Sequence, residues 1–92
     1  MEREELGPGT VVVREGEPGE RFYVVFAGML SVSNGMGRRA VLRPGDYFGE
    51  VALAMDVPRT ATVTAITPAV VASCDRATFD ELLRPLFADD GG

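Results

Sequence analysis

The feature that most limits the fold of this chain is how often glycine and proline interrupt it. Turn-forming clusters such as Gly7-Pro8-Gly9, Gly16-Glu17-Pro18-Gly19 and Pro44-Gly45 leave only short segments between them. Those segments are rich in Val, Phe and Tyr, and many short strands with regular turn signals are typical of a β-sandwich or barrel. The pattern predicts strands at about Thr10–Arg14, Arg21–Ala27, Met29–Ser33, Arg39–Leu42, Ala61–Ile66 and Ala69–Asp75.

The segment Arg21–Ala27 is apolar on both faces of the predicted strand. Phe22, Val24 and Phe26 alternate with Tyr23 and Val25, which predicts that the strand is buried on both sides. We therefore expect its phenylalanines to belong to the core rather than to contact a ligand. Gly28, between this segment and the next, predicts a tight turn or bulge.

Helical signals are confined to two places. Glu50–Met55 follows a glycine and predicts one or two helical turns. Asp75 is a favourable N-cap for a second helix from Arg76 to about Leu83. The core-facing stripe of that helix, at i, i+3, i+4 and i+7 spacing, consists of Phe79, Leu82, Leu83 and Leu86.

Composition argues against several classes of function. The net charge is −5, and binding to a phosphate backbone needs clustered basic residues, so we expect no nucleic-acid partner. The chain contains no His, which removes the commonest general base and metal ligand, so we expect no enzyme activity, catalytic residue, metal site or cofactor. Cys74 is the only cysteine, and its apolar surroundings predict a buried, inert thiol.

Hydropathy and the N-terminal sequence bear on localisation. No apolar run approaches the roughly 20 residues that a membrane-spanning helix needs. The charged segment Met1–Leu6 does not resemble a secretory signal. We expect a cytoplasmic protein, or a cytoplasmic domain of a larger one, without direct membrane insertion.

The segments Phe48–Leu53 and Arg59–Val63 together indicate a binding site for an anion. A glycine at Gly49 opens a short helix, and free amides at a helix start attract anions. The guanidinium of Arg59 can close over the same anion, and the carboxylate of Glu50 can accept a hydrogen bond from a hydroxyl. An acceptor for a hydroxyl beside a clamp for a phosphate favours a ribose phosphate as ligand.

These motifs resemble the cyclic nucleotide-binding domain, the cAMP and cGMP sensor module of regulated kinases, ion channels and transcription regulators. The similarity runs from Gly9 to about Leu83, and its most specific part is Phe48–Leu53 with Pro58–Val63, which is similar to the phosphate-binding cassette of that family. The resemblance implies a mainly β fold. It would be a short-stranded β-roll or jelly-roll barrel with a short helix in the phosphate-binding loop and a C-terminal helix. Its extent would be residues 9–87, after a lead-in of residues 1–8 and before a disordered tail of residues 88–92.

The resemblance also implies a role for each matching residue. Arg59 would clamp the exocyclic oxygens of the cyclic phosphate, and Glu50 would accept a hydrogen bond from the ribose 2′-hydroxyl. Gly49 would let the backbone approach the sugar. The remaining contacts to the phosphate would come from the backbone amides of Val51, Ala52 and Ala61 and from the hydroxyl of Thr60.

Each of these residues also has a simpler interpretation. Arg59 could be a solvated loop cation, and Glu50 could be only a favourable acid in the first turn of a helix. Thr60 could be a strand former at the start of the next strand. For the whole chain, the alternatives are a small cupin-type enzyme, which the absence of His opposes, and a ligand-free, degenerate scaffold for protein interaction.

The resemblance leaves the ligand's base and the output open. Family members usually have helices before the barrel and a longer lid helix after it. Here about eight residues precede the first predicted strand and the chain ends soon after Leu86, so we expect an excised or unusually short sensor. We favour cAMP over cGMP and a bacterial source, although the hydroxyl of Thr60 could also bind a guanine amino group. We expect binding to be relayed to a partner or to an output domain on a larger parent chain.

Overall fold

The structure, a computed structural model, describes residues 2–83 and residue 85. It contains two four-stranded sheets, with spatial orders β1-β8-β3-β6 and β2-β7-β4-β5. The strand pairs in both sheets are antiparallel, and the predicted mainly β fold is confirmed. The elements are β1 (Glu2–Leu6), β2 (Val11–Val13), β3 (Arg21–Ala27), β4 (Leu30–Ser33), β5 (Arg39–Leu42), β6 (Tyr47–Phe48), α1 (Glu50–Met55), β7 (Thr62–Ala65), β8 (Ala69–Asp75), α2 (Arg76–Thr78) and a π-helical segment (Phe79–Leu83).

The main core takes side chains from both sheets. Leu30 and Val71 are completely buried, and Tyr23 stacks on Phe48 with ring centroids 4.8 Å apart. Successive residues of a strand point to opposite faces, so Tyr23 faces this core while Phe22 faces away from it.

A second, smaller core lies on the Phe22 side of β3. Phe22 packs there with Cys74, with Leu53 of α1 and with Phe79 of the π-helical segment. The ring centroids of Phe22 and Phe79 are 5.5 Å apart. The predicted burial of Cys74 is confirmed, and that burial raises the pKa of its thiol. This cluster joins α1 and the C-terminal helical segment to the same strand.

Two strands were not predicted. The first strand begins at Glu2, where β1 pairs with β8, so the prediction that about eight residues precede the first strand is wrong. Its residues are exposed apart from Leu6, so β1 is held by backbone pairing rather than by an apolar face. The other strand, β6, is only two residues long and places Phe48 directly before the helix.

The prediction that Phe26 belongs to the core is wrong, because the residue is 48% exposed. The register of β3 against β8 shifts between Val25 and Ala27, which leaves Phe26 as the extra residue of a β-bulge. The guanidinium of Arg3 lies 5.2 Å from the centre of the Phe26 ring. Gly28 follows with a φ of 81°, as expected for the predicted turn.

The C-terminal helical prediction is confirmed in position but not in register. The side chain of Asp75 accepts a hydrogen bond from the backbone N–H of Thr78 at 2.8 Å, so it is the N-cap. Phe79 is completely buried, but Leu82 is 64% exposed and does not belong to the predicted stripe. Leu86 and the tail of residues 88–92 lie outside the described residues, as does the side chain of Leu83.

Within the described part of the chain, none of the helices combines the length and apolar character needed to cross a membrane.

Candidate ligand-binding site

A cavity of about 280 Å³ lies between the start of α1, the loop before β7 and the second sheet. Its apolar wall comes from Val13, Val32, Ala40, Leu42, Tyr47, Phe48 and Val63. Every residue that the sequence predicts for the site lines this one cavity, namely Gly49, Glu50, Val51, Ala52, Arg59, Thr60 and Ala61.

Gly49 shapes the start of α1. It precedes the helix with a φ of 93°, in the left-handed region, and among the described residues no side chain caps this end. A Cβ at this position would lie 2.8 Å from Nη1 of Arg59 and 2.9 Å from the carbonyl oxygen of Arg21. Glycine is therefore required both by the backbone and by the close approach of the guanidinium. The first N–H groups of an α-helix lack partners within the helix, and Glu50, Val51 and Ala52 place this end of α1 at the cavity wall.

Arg59 is buried, with only 7% of its surface exposed, so it is not a solvated loop cation. Its Nη2 donates a hydrogen bond to the carbonyl oxygen of Arg21 at 2.9 Å, and its Nη1 donates to that of Gly49 at 3.3 Å. The guanidinium also lies 6.0 Å from the centre of the Tyr23 ring. These contacts come from β3, from the residue before α1 and from the main core, and they hold the planar group at the cavity wall.

The backbone of Arg59 is fixed as well. Its N–H donates to the carbonyl oxygen of Glu17 and its own carbonyl accepts from the N–H of Gly16, both at 2.8 Å. Burial lowers the pKa of the Arg59 guanidinium below its ordinary value, while the charges of Tyr23 and Glu20 act in the opposite direction. The charge is partly desolvated, which makes an anionic guest favourable at this point.

The other predicted residues take different positions on the wall. Glu50 is half-buried in the first turn of α1, so its position fits a favourable helix acid as well as a ligand contact. Thr60 is exposed and precedes β7, which begins at Thr62, so Thr60 does not start a strand. Ala61 is half-buried beside it.

Gly19 packs directly behind two residues of the site, and the sequence interpretation missed it. It is buried, and a Cβ there would lie 2.4 Å from Cβ of Ala52 and 3.0 Å from Cζ of Arg59. In the sequence Gly19 follows Pro18 and indicates only a turn. Nothing in that turn indicates that the loop packs against Arg59, which lies far along the chain. The apolar wall was missed for a similar reason, because most of its residues also belong to the main core or pack against it.

Comparisons with known proteins agree with this geometry. Residues 3–85 match the family described as cyclic nucleotide-binding domain. The chain is 49% identical over 81 residues to the cAMP-dependent protein kinase regulatory subunit of Yarrowia lipolytica, covering 86% of this chain and 22% of that protein. It is 41% identical over 86 residues to the Dictyostelium discoideum regulatory subunit, covering 85% of this chain and 26% of that protein. The chain thus spans about a quarter or less of the length of these relatives. They are eukaryotic, so they give no support to the expected bacterial source.

Solved structures show the same architecture. The regulatory domain of Toxoplasma gondii PKA with cAMP superposes with a TM-score of 0.86 at 33% identity, covering 94% of this chain and 36% of that one. A regulatory subunit described as belonging to a cAMP-independent protein kinase A of Trypanosoma brucei superposes with a TM-score of 0.87 at 28% identity, covering 94% and 32%. The predicted β-roll is confirmed by these neighbours. From its sequence match, its two sheets and its cavity, the chain belongs to the cyclic nucleotide-binding domain family.

Proposed function

We propose that this chain is a regulatory module that binds cAMP in the cavity between α1 and the second sheet without transforming it. The observation that carries the proposal is the buried guanidinium of Arg59 at the wall of the cavity, next to the opening of α1. A partly desolvated cation on the wall of a largely apolar cavity favours an anion with an apolar remainder, and a cyclic nucleotide has both parts. The cavity of about 280 Å³ is close to the lower end of the usual range for small-molecule sites, as suits a mononucleotide.

The cyclic phosphate binds to Arg59 and to the start of α1. The carbonyl oxygens of Arg21 and Gly49 orient the guanidinium, so little side-chain freedom is lost when the phosphate arrives. The backbone amides of Val51, Ala52 and Ala61 support the same phosphate. These contacts give the module its preference for an anion.

The sugar and the base occupy the rest of the cavity. Glu50 accepts a hydrogen bond from the ribose 2′-hydroxyl, and Gly49 allows the backbone to lie close to the sugar. The purine packs along the apolar wall that includes Val32 and Leu42. The half-buried position of Glu50 on the same wall as Arg59 supports this orientation.

The output of the module is a protein partner. The relatives that cover most of this chain are regulatory subunits of a kinase, so we propose that binding is relayed to a kinase partner in the cytoplasm, or to an output domain on a longer chain. The module itself performs no catalysis in this proposal.

Isothermal titration calorimetry with cAMP tests the proposal on the wild type and on Arg59→Ala. A charge-assisted hydrogen bond contributes about 1.5–3 kcal/mol, so we expect the Kd to rise by roughly tenfold to a hundredfold or more. Arg43→Ala is the matched control, because this substitution removes the same charge at an exposed residue. Arg43 lies before β6 and is no part of the cavity wall. Failure of cAMP to bind at millimolar concentration, or equal affinity in Arg59→Ala, overturns the proposal.

A preference for cGMP is the second candidate, because Thr60 lies on the cavity wall with an exposed side chain. Its hydroxyl can serve either a guanine amino group or the phosphate. If it serves guanine, Thr60→Ala weakens cGMP binding and leaves cAMP binding unchanged. If it serves the phosphate, both nucleotides lose affinity equally.

The melting temperature tests the ligand-free scaffold. Binding to the folded state must stabilise it, so an unchanged melting temperature in excess cAMP and in excess cGMP supports the scaffold.

A further inference from the structure

Arg76 joins the C-terminal helical segment to the loop before β3. It is the first residue of α2, and its Nη2 donates a hydrogen bond to the carbonyl oxygen of Gly19 at 3.1 Å. The same nitrogen lies 3.5 Å from Oδ1 of Asp56. One guanidinium therefore contacts two segments that are far apart in the sequence.

Both contacts lie next to the candidate ligand site. Asp56 is the C-cap of α1, the helix whose first residues line the cavity, and its φ of 56° places it in the left-handed region. Its backbone N–H donates to the carbonyl oxygen of Ala52, so Arg76 reaches the C-terminal end of α1 through Asp56.

The contact with Gly19 leads directly to Arg59. Gly19 has no room for a side chain, because a Cβ there would lie 3.0 Å from Cζ and Nε of Arg59 and 2.4 Å from Cβ of Ala52. Arg59 and α1 therefore block movement of this loop towards the cavity. Movement away from the cavity would remove the packing of Gly19 against Arg59 and Ala52. Whatever fixes the carbonyl of Gly19 also limits where the guanidinium of Arg59 can lie.

We propose that Arg76 is a positioning residue for ligand binding, which holds the carbonyl of Gly19 in place and thereby keeps Gly19 packed against Arg59. The inference rests on the proposed function, since it assigns Arg76 a role in that same site. The segment that begins at Arg76 also places Phe79 in one apolar cluster with Leu53 of α1, so Arg76 and Phe79, three residues apart, both tie this segment to the neighbourhood of the site.

The test is a double-mutant cycle on the full chain, with cAMP affinity measured by calorimetry. Arg76→Ala is expected to raise the Kd by about three- to tenfold in the wild-type background. In Arg59→Lys, which keeps the charge but loses the planar fork, the same substitution is expected to raise it by less than about twofold. The coupling follows because Arg76 acts only through the orientation of the Arg59 guanidinium.

Two further variants separate the contacts of Arg76. Arg76→Lys retains a donor for the Gly19 carbonyl and is expected to restore most of the affinity. Asp56→Asn tolerates the left-handed cap and removes the ion pair, and it is expected to change the affinity little, because the Asp56 side chain is 84% exposed. Circular dichroism on Arg76→Ala and Arg76→Lys establishes that each variant is folded.

The outcomes distinguish this inference from the proposed function. A wild type that binds no cyclic nucleotide overturns both. A wild type that binds cAMP, with Arg76→Ala binding equally well, overturns the inference alone. Equal losses from Arg76→Ala in both backgrounds, without rescue by Arg76→Lys, show general destabilisation and also overturn it.

Discussion

Gly19→Ala is the substitution that tests most directly how closely the candidate site is packed. The added Cβ would lie 2.4 Å from Cβ of Ala52 and 3.0 Å from Cζ and Nε of Arg59, whereas ordinary contacts begin near 3.4 Å. Either the loop or α1 must therefore move by about 1 Å. Overpacking of this kind costs about 1–3 kcal/mol, which corresponds to a decrease in Tm of about 5–20 °C for a domain of this size.

The same displacement should weaken ligand binding. Arg59 donates to the carbonyls of Arg21 and Gly49, and a shifted guanidinium loses its alignment with the phosphate. The loss of one charge-assisted hydrogen bond predicts a Kd for cAMP at least about tenfold higher. Differential scanning fluorimetry measures the Tm without ligand, and calorimetry measures the affinity.

Gly7→Ala is the matched control for this experiment. Neither glycine has a positive φ, so both substitutions add a methyl group without backbone strain. At Gly7 the nearest atom to the new Cβ is Oγ1 of Thr10 at 4.0 Å, so we expect a change within about 0.5 kcal/mol. If Gly19→Ala matches Gly7→Ala in Tm and in Kd, the close packing of the loop against Arg59 is refuted.

Two predictions concern the C-terminal helical segment. Phe79→Ala should lower the free energy of unfolding, measured in urea, by about 3–5 kcal/mol, because Phe79 is completely buried. Leu82→Ala, at an exposed position of the same segment, should leave it nearly unchanged. Equal effects of the two substitutions would support the predicted stripe instead. Hydrogen bonds from the backbone and side chain of Thr78 lower the pKa of Asp75 in the folded state. The ionised Asp75 carboxylate therefore contributes its full stabilisation above the ordinary pKa of 3.8, and this stabilisation is lost as the pH falls through the lower pKa of the folded state. The Tm advantage of the wild type over Asp75→Asn should therefore be constant from about pH 6 to about pH 4 and shrink below that, and an advantage that stays constant or grows below about pH 4 contradicts this assignment.

Six of the eight described strands could be predicted because their signals are local. Turn residues at both ends and β-branched or aromatic residues between them located Arg21–Ala27 and Ala69–Asp75 to the residue. The strand Glu2–Leu6 gives no such signal, since its charged residues have low strand propensity and its pairing partner β8 lies far along the chain. A charged edge strand of this kind is visible only in the assembled sheet.

The register of the C-terminal segment could not be predicted because its geometry departs from the α-helix. The i, i+3, i+4 spacing of Phe79 and Leu82 assumes 3.6 residues per turn. The segment that begins at Phe79 is π-helical, with hydrogen bonds spanning one residue more, so a residue three positions on no longer lies on the same face. Leu82 is consequently exposed although the spacing predicts burial.

The candidate site was predictable in part. Its composition was predictable from the motif around Glu50 and Arg59, and the structure brings all of those residues to one cavity. The support behind them was not predictable. The carbonyl of Arg21, the buried Gly19 and the guanidinium of Arg76 meet Arg59 or its neighbours only through the fold.

The burial of Arg59 explains why this site should bind an anion rather than remain empty. Among residues 2–83 and 85, no carboxylate lies within ion-pair distance of its guanidinium, which donates instead to neutral carbonyls. A buried charge without a counter-ion costs stability, and the lowered pKa of Arg59 has that desolvation as its main cause. A bound phosphate supplies the missing charge, so the ligand should stabilise the folded chain by about 2.7 kcal/mol when present at about a hundred times its Kd. Because Arg59 also contacts Gly19 and the start of α1, that gain is coupled to the loop and the helix that the C-terminal segment touches.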